Sequence, residues 1–250
     1  MARLLRGSQG NGAFSQLAWN WESIILTPDS YPNHGGNRLN ITASLASHGL
    51  YAITNGPRAD LLDAVAQALA GGASLLQYLD EETDHERRHA ESTAILRLCR
   101  QHGVPMMIHE DVALAHAIGA DGVHVGGCAE DLARARAKLG PRAIIGVACR
   151  DSLDHARTAV RGGASYVSFG AFFASPTKPL APRASIDLLR QSASLGVPRV
   201  AIGGITADNG KLLVEAGAEY LASISSVFGA ADIRHAARRL ADLYVQPPEN

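Results

Sequence analysis

The sequence predicts an α/β fold, a single (βα)8 TIM barrel preceded by an irregular N-terminal extension. Three observations carry this prediction. Short apolar runs typical of β-strands alternate with amphipathic stretches from Gly49 onward, eight such runs occur, and the composition does not change between them. The chain has 250 residues, which is enough for one barrel of this kind.

The chain divides into three regions. Residues 1–48 show no sustained period of either strand or helix, so we expect an irregular, flexible extension there. The alternative is a short docking segment around Trp19, Trp21 and residues 24–26. Residues 49–245 form the predicted barrel, and residues 246–250 form a tail.

The eight apolar runs are the candidate strands. In chain order they are Leu50–Thr54, Ser74–Leu79, Met106–His109, Gly122–Val125, Ala143–Ala148, Tyr166–Phe169, Arg199–Ile202 and Tyr220–Ser223. Between them lie segments such as Asp60–Leu69 and Leu153–Val160, in which apolar residues recur three and four positions apart, as on one face of a helix.

A Gly-Ala pair precedes every second strand. The pairs are Gly72-Ala73, Gly119-Ala120, Gly163-Ala164 and Gly217-Ala218. We expect each glycine to end a helix in a left-handed conformation and each alanine to let the chain turn tightly into the sheet. An open doubly wound sheet is the alternative, but the first βα turn, residues 54–58, lacks the glycine fingerprint of dinucleotide-binding folds.

Composition excludes several classes of partner. The 23 Lys and Arg residues are balanced by 24 Asp and Glu, a net charge of -1, so no basic surplus favours nucleic acid or an anionic membrane. Three cysteines without C-x-x-C spacing indicate neither a disulfide framework nor a zinc ribbon. With no apolar run of membrane-spanning length and no export signal, we expect a cytoplasmic protein, with homo-oligomer formation left open.

The ends of the predicted strands are where a barrel of this type binds its ligand. After the seventh strand, Gly203-Gly204 precedes a helix, and Ile224-Ser225 opens the last loop. This pattern fits a phosphate cradle of backbone N–H groups, although a tight turn alone would also explain the glycine pair.

A polar loop follows the sixth strand. Ser175, Thr177 and Lys178 alternate with prolines that restrict the loop. Two hydroxyls and an ammonium group suit the binding of a phosphoryl group under a closing loop, and a solvated surface loop is the alternative.

Together these strand ends resemble the thiamine-phosphate synthase family, which includes the TenI thiazole tautomerases, over about residues 49–244. The matching motifs are Leu50–Thr54, Gln77, Gly119–Gly126, Ile144–Val147, Phe169–Lys178, Ala201–Ile205 and Ile224-Ser225.

The resemblance implies a reaction between two phosphorylated heterocycles. A hydroxymethylpyrimidine diphosphate loses pyrophosphate, and the nitrogen of a thiazole phosphate captures the resulting carbocation. It implies that Mg²⁺ and cationic groups stabilise the departing pyrophosphate. By resemblance, the catalytic residues are Gln77, Thr177 and Lys178, and the metal ligands are Glu110 and Asp131. The residues that bind the thiazole phosphate are Gly203, Gly204, Ile224 and Ser225. The pyrophosphate and pyrimidine side of the site is formed by His109, Ser175, Thr177 and Lys178.

The sequence departs from the family pattern on the pyrophosphate side. Leu79 and Glu81 replace the family's Arg and Lys after the second strand, so the local charge changes from +2 to -1, a difference of -3. Ala129 replaces one metal-binding Asp, which leaves Glu130 or Asp131 as a substitute ligand, and Ala148 replaces a Ser.

Three hypotheses about function follow from the family residues that this sequence keeps and those that it replaces. The first is a catalytic synthase. The second is a non-catalytic protein that binds thiazole phosphate or thiamine phosphate as a sensor or carrier. The third is TenI-like chemistry on a phosphorylated heterocycle, with His109 or Cys149 as acid or base.

Overall fold

The computed structural model describes residues 45–175 and 182–245. Its strands are β1 (Gly49–Ile53), β2 (Ala73–Tyr78), β3 (Met106–His109), β4 (Gly122–Val125), β5 (Ile144–Arg150), β6 (Tyr166–Phe169), β7 (Arg199–Ile202) and β8 (Tyr220–Ser223). Each strand pairs in parallel with the next, and β8 pairs with β1, so the sheet closes into a barrel. The predicted (βα)8 fold is confirmed, and an open doubly wound sheet is excluded.

The predicted bounds match β3, β4, β6, β7 and β8 residue for residue. Both β1 and β2 begin and end one residue earlier than predicted. They end there because a side chain replaces the backbone partner of the next residue: the backbone N–H of Leu79 donates to Oγ1 of Thr54 at 2.8 Å. Strand β5 begins one residue later than predicted and ends two residues later, through an irregularity between Ala148 and Arg150.

Helices connect the strands and surround the barrel. They are α1 (Leu61–Ala70), α2 (His85–His102), α3 (Val112–Ile118), α4 (Ala129–Leu139), α5 (Leu153–Arg161), α6 (Asp187–Gln191), α7 (Gly210–Glu215), α8 (Ser225–Phe228) and α9 (Ile233–Ala241). The side chains of Asp84, Asp111, Ser152 and Asp232 accept hydrogen bonds from backbone N–H groups in the first turns of α2, α3, α5 and α9.

The side chains of each strand divide between two apolar layers. In β1, Leu50 and Ala52 point outward and pack in the cluster between barrel and helices, whereas Tyr51 and Ile53 point inward. The barrel interior is therefore filled with side chains rather than forming a pore. Because of this alternation, only the inward-facing residues near the carboxyl ends of the strands can reach the ligand-binding end from the barrel interior.

The glycines of the four Gly-Ala pairs all have positive φ, from 68° at Gly119 to 102° at Gly72. The expected left-handed turn is thus present at each pair. Gly119 itself ends α3, but the other three glycines lie one residue beyond the capping position, because Gly71, Gly162 and Ala216 cap those helices in the right-handed region.

The start and the end of the described barrel meet. The phenol of Tyr220 donates to the carbonyl of Ala46 at 2.6 Å, and the ring of His48 stacks on Tyr244 with 5.2 Å between centroids. The rest of the predicted extension, with its candidate docking segment, and the tail at 246–250 lie outside the described residues. Within the described ranges, no helix combines the length and apolar character needed to cross a membrane.

Candidate active site

A cavity of about 470 Å³ opens at the carboxyl ends of β5 to β8. It is lined by Gly203 and Gly204 after β7, by Ile224 and Ser225 after β8, and by Ser175 from the loop after β6. The four residues predicted to bind phosphate and one of the predicted loop residues therefore lie around one space. The predicted Thr177 and Lys178 lie outside the described residues.

The glycine pair after β7 is required by packing against the neighbouring loop. At Gly204, where φ is +64°, a Cβ atom would lie 2.3 Å from the carbonyl oxygen of Ala174. At Gly203 it would lie 2.4 Å from the Cβ of Ala171. From sequence these glycines were assigned to the close approach of an anion, whereas the contacts show that they also let residues 171–174 cross over the turn.

Arg150 is a functional candidate that the sequence patterns did not single out. It stands at the end of β5, with φ of +53°, lines the same cavity and is exposed. Among the described residues its guanidinium has no hydrogen-bond or ion-pair partner. The only sequence signal was its place at a strand end, because the irregularity that extends β5 to this residue is not visible in the sequence.

The opposite half of the mouth contains Gln77 and His109. The amide Nε2 of Gln77 lies 3.0 Å from Nδ1 of His109, and the Gln77 Oε1 accepts from the phenol of Tyr51 at 2.6 Å. The structure thus brings together two residues assigned to the reaction and joins them to a tyrosine that sequence reasoning placed only in a strand. Since Tyr51, Gln77 and His109 are all inward positions, strand alternation was the available signal.

The hydrogen bonding continues across the barrel. The hydroxyls of Tyr51 and Tyr166 are 2.8 Å apart, and the Tyr166 hydroxyl lies 3.0 Å from Nδ1 of His124. Burial raises the pKa of both tyrosines. Burial, together with an electrostatic interaction with His109, lowers the pKa of His124 to about 3, and all three side chains are neutral near pH 7.

The end of β2 carries an acidic cluster around one arginine. Arg87 lies 2.7 Å from Asp80, 2.9 Å from Glu91, 3.2 Å from Glu82 and 3.9 Å from Asp84. Burial opposes the charge on Asp80, but hydrogen bonds from Arg87 and from the N–H of Glu82 hold its pKa below the usual value. Arg87 is therefore already neutralised and does not replace the cations that Leu79 and Glu81 have displaced.

The two predicted metal ligands face the same space. A Cβ atom built on Gly126 would lie 3.7 Å from Oε1 of Glu110 and 3.6 Å from Oδ2 of Asp131. Asp131 also contacts Arg134 and the Cys128 thiol, each at 2.7 Å. Two carboxylates fit Mg²⁺, which often takes one or two protein carboxylates and fills the remaining positions with water and phosphate. Within residues 45–175 and 182–245 no three such side chains gather around one point.

Fold and site define a (βα)8 barrel with its ligand cavity and acidic groups at the carboxyl ends of the strands. The family model described as thiamine monophosphate synthase matches residues 50–227, and the chain belongs to that family. The predicted family resemblance is confirmed.

The chain is similar to curated relatives over most of its length. It is 47% identical to the thiamine-phosphate synthase of Thiobacillus denitrificans over 204 residues, which covers 80% of this chain and 97% of that protein. It is 49% identical to the thiamine-phosphate synthase of Chromobacterium violaceum over 195 residues, covering 77% of this chain and 94% of that one.

Solved structures give the same picture. Thiamine phosphate pyrophosphorylase from Pyrococcus furiosus superimposes with a TM-score of 0.70 at 30% identity, over 82% of this chain and 97% of that chain. A 3-hexulose-6-phosphate synthase superimposes with a TM-score of 0.61 at 20% identity, over 78% of this chain and 99% of that chain. The second likeness shows the fold alone.

Proposed function

We propose that this protein acts in thiamine biosynthesis by joining hydroxymethylpyrimidine diphosphate to thiazole phosphate, giving thiamine phosphate and pyrophosphate. The observation that carries the proposal is the cavity at the ends of β5 to β8, around which the predicted phosphate-binding residues converge. Relatives 47% and 49% identical that are named thiamine-phosphate synthases support the same activity.

The reaction requires charge stabilisation more than proton transfer. The bond between the pyrimidine methylene carbon and the diphosphate oxygen breaks, and its electron pair leaves with pyrophosphate. The lone pair of the thiazole nitrogen then forms the new carbon–nitrogen bond. Groups that hold the developing negative charge therefore lower the barrier most.

The cavity supports binding of the thiazole phosphate. Ile224 and Ser225, where the chain passes from β8 into α8, line this cavity together with Gly203 and Gly204. The hydroxyl of Ser226 donates to the carbonyl of Ile205 at 2.6 Å, which ties this turn to the strand end carrying Gly203 and Gly204. Arg150 supplies a positive charge on the β5 side of the same cavity.

The diphosphate is assigned to the side of the mouth that carries Glu110 and Asp131. These two carboxylates would hold Mg²⁺, which when bound neutralises charge on the departing pyrophosphate. Ser175, Thr177, Lys178 and His109 are assigned to the same anion, with Gln77 beside the pyrimidine. Lys178 then provides a cation that residues 79 and 81 no longer provide.

The direct test measures pyrophosphate and thiamine phosphate release by the purified protein given both substrates and Mg²⁺. We expect turnover that is lost in Lys178→Ala and kept in Lys138→Ala, a matched substitution in the last turn of α4. Turnover that survives in Lys178→Ala would overturn the assigned role of Lys178. Absence of turnover in the unmodified protein would overturn the proposed activity.

A second function, binding without turnover, is favoured by the neutralised Arg87 and by Leu79 and Glu81. It predicts that thiazole phosphate binds while no product forms. The variant carrying Leu79→Arg, Glu81→Lys and Ala129→Asp distinguishes the two functions: it creates turnover if lost charges are the defect. If this variant remains folded, binds both substrates and gives no product, the account of the site is wrong.

The structure removes one residue from the third hypothesis. Burial raises the pKa of Cys149 to about 12, and its Sγ lies 3.6 Å from the carbonyl of Val147 in the outer layer. Cys149 is therefore not an acid or base at the barrel mouth, and only His109 remains for TenI-like chemistry.

A further inference from the structure

A single line of hydrogen-bonding side chains crosses the barrel interior beneath the site. In spatial order it contains Ser168, His124, Tyr166, Tyr51, Gln77 and His109. The separations are 3.4, 3.0, 2.8, 2.6 and 3.0 Å. Because each inner member of the line has a hydrogen-bonding neighbour on both sides, the proton positions along the line depend on one another.

The direction of the line follows from the Gln77 amide. Its Oε1 can only accept, so Tyr51 must use its one proton to donate there. Its Nε2 can only donate, so Nδ1 of His109 must present a lone pair. A neutral imidazole with a bare Nδ1 carries its proton on Nε2.

The same reasoning fixes the other half of the line. Since the Tyr51 proton points to Gln77, the oxygen of Tyr51 must accept from Tyr166. Tyr166 then has no proton left for His124, so Nδ1 of His124 must be the donor in that pair. The bare Nε2 of His124 is left to accept from Ser168 at 3.4 Å.

The line is sealed from solvent over most of its length. Tyr51 is 1% exposed, Tyr166 is fully buried and Gln77 is 2% exposed, so water does not compete for these hydrogen bonds. In a low-dielectric interior such chains polarise one another and hold one arrangement. His109 and His124 are each partly exposed, and Nε2 of His109 lies 3.8 Å from Oε1 of the exposed Glu81.

We propose that this line is a positioning device that holds the ring of His109 with its proton on Nε2 and directs that N–H at a phosphate oxygen of the bound diphosphate. The buried Tyr51 and Tyr166 are its positioning residues, because they act on the ligand only through Gln77 and His109. The fixed Nε2–H of His109 offers the ligand a single hydrogen-bond donor in a defined direction. The identity of the ligand rests on the proposed function, whereas the proton arrangement does not.

The test is the tautomer of each histidine in the unmodified protein labelled with ¹⁵N-histidine. Two-bond ¹H–¹⁵N correlation spectra at about pH 8, above the ordinary histidine pKa of about 6.5, distinguish the two neutral forms. His109→Asn and His124→Asn assign the signals. We expect Nε2–H at His109 and Nδ1–H at His124. The opposite pair of tautomers would mean that the line runs in reverse and would overturn the proposal.

Three tyrosine variants separate a connected line from independent pairs. Tyr51→Phe should change both histidines, because Gln77 loses its anchor and Tyr166 becomes free to donate to His124. Tyr166→Phe should change His124 and leave His109 as it is. Tyr220→Phe is the matched control, because its hydroxyl donates to Ala46 outside the line, and it should change neither. An unchanged His124 signal in folded Tyr51→Phe would overturn the connection.

The ligand half of the proposal has its own readout. Adding inorganic pyrophosphate with Mg²⁺ should shift the Nε2 resonance of His109 and leave that of His124 in place. No shift at saturating pyrophosphate would overturn the donor role. If the tautomers are as expected and pyrophosphate shifts the His109 resonance, but no product forms, only the proposed activity is refuted. If the protein turns over its substrates but the tautomers are reversed, only the proposed proton arrangement is refuted.

Discussion

Arg88 on α2 forms an ion pair with Asp111, the residue that caps α3, with 3.0 Å between Nη2 and Oδ2. The pair joins the two helices on either side of β3 and stands directly beside Glu110. Glu110 has φ of +54°, an uncommon conformation for a residue with a side chain, and its N–H donates to the carbonyl of His124 at 2.8 Å. The candidate metal ligand is thus held by a strained turn that an ion pair supports.

Breaking this pair should destabilise the protein. Arg88→Met keeps most of the apolar stem and leaves Asp111 without its cation, which we expect to cost about 1–3 kcal/mol of the free energy of unfolding. Arg157→Met, which removes an exposed ion pair with Asp154, should cost no more than about 0.5 kcal/mol. Urea denaturation measures both, and equal losses would show that the Arg88 pair has no special role.

Gly204→Ala should be far more damaging than an alanine at a glycine with similar backbone geometry. Gly103 has φ of +66°, and no atom lies within 4 Å of the place that an added Cβ would take, so Gly103→Ala costs only backbone strain, about 1–2 kcal/mol. Gly204→Ala adds the clash with Ala174, so a larger loss of stability and weaker thiazole phosphate binding are expected. Calorimetry of both variants checks this, and similar losses would contradict the role of packing at Gly204.

Arg150→Gln should weaken thiazole phosphate binding. A hydrogen bond to a charged group is worth about 1.5–3 kcal/mol, or roughly 10- to 150-fold in Kd. Glutamine keeps much of the side-chain length and removes the charge, and Arg157→Gln on the exposed face of α5 is the control. Isothermal titration gives both dissociation constants. Unchanged affinity in Arg150→Gln would remove this residue from the site.

Asp80 should make the free energy of unfolding depend on pH in the acidic range. Because its folded-state pKa is lowered, the ionised group stabilises the fold above its unfolded pKa of about 3.9, and that stabilisation is lost as the pH falls below it. Asp80→Asn should therefore be less stable than the unmodified protein at pH 7, with a gap that narrows toward about pH 2. Asp154→Asn, at an exposed site, should show little gap at any pH. Denaturation curves measured across this pH range test the prediction. A difference in stability between Asp80→Asn and the unmodified protein that stays constant with pH would contradict the proposed role of the Asp80 pKa.

Mg²⁺ with pyrophosphate should raise Tm through Glu110. A ligand at 100 times its Kd adds about 2.7 kcal/mol, which corresponds to a rise of roughly 5–10 °C for a chain of this size. Glu110→Gln should lose most of this rise, whereas the exposed Glu215→Gln should keep it. A full rise in Glu110→Gln, measured by thermal denaturation, would exclude Glu110 as a ligand.

The barrel was predictable from sequence because alternation and the Gly-Ala pairs are local signals. The cavity at Gly203 and Ile224 was predictable for the same reason, since strand ends of a barrel share one face. The line of hydrogen bonds from Tyr51 through Gln77 to His109 was not predictable from sequence. It depends on which inward-facing residues of neighbouring strands lie at the same height in the closed barrel. Arg150 was missed because a strand irregularity, rather than a pattern, carries it to the cavity.

The contacts of Ala46 with Tyr220 and of His48 with Tyr244 place the first and last described segments of the barrel side by side, next to the residues that lead into β8. Those residues lie at the face opposite the ligand cavity. A short peptide joining the two segments, with new termini opened in an exposed loop, would give a circularly permuted barrel. Attachment of a label or a solid support at this junction would leave the ligand entrance uncovered.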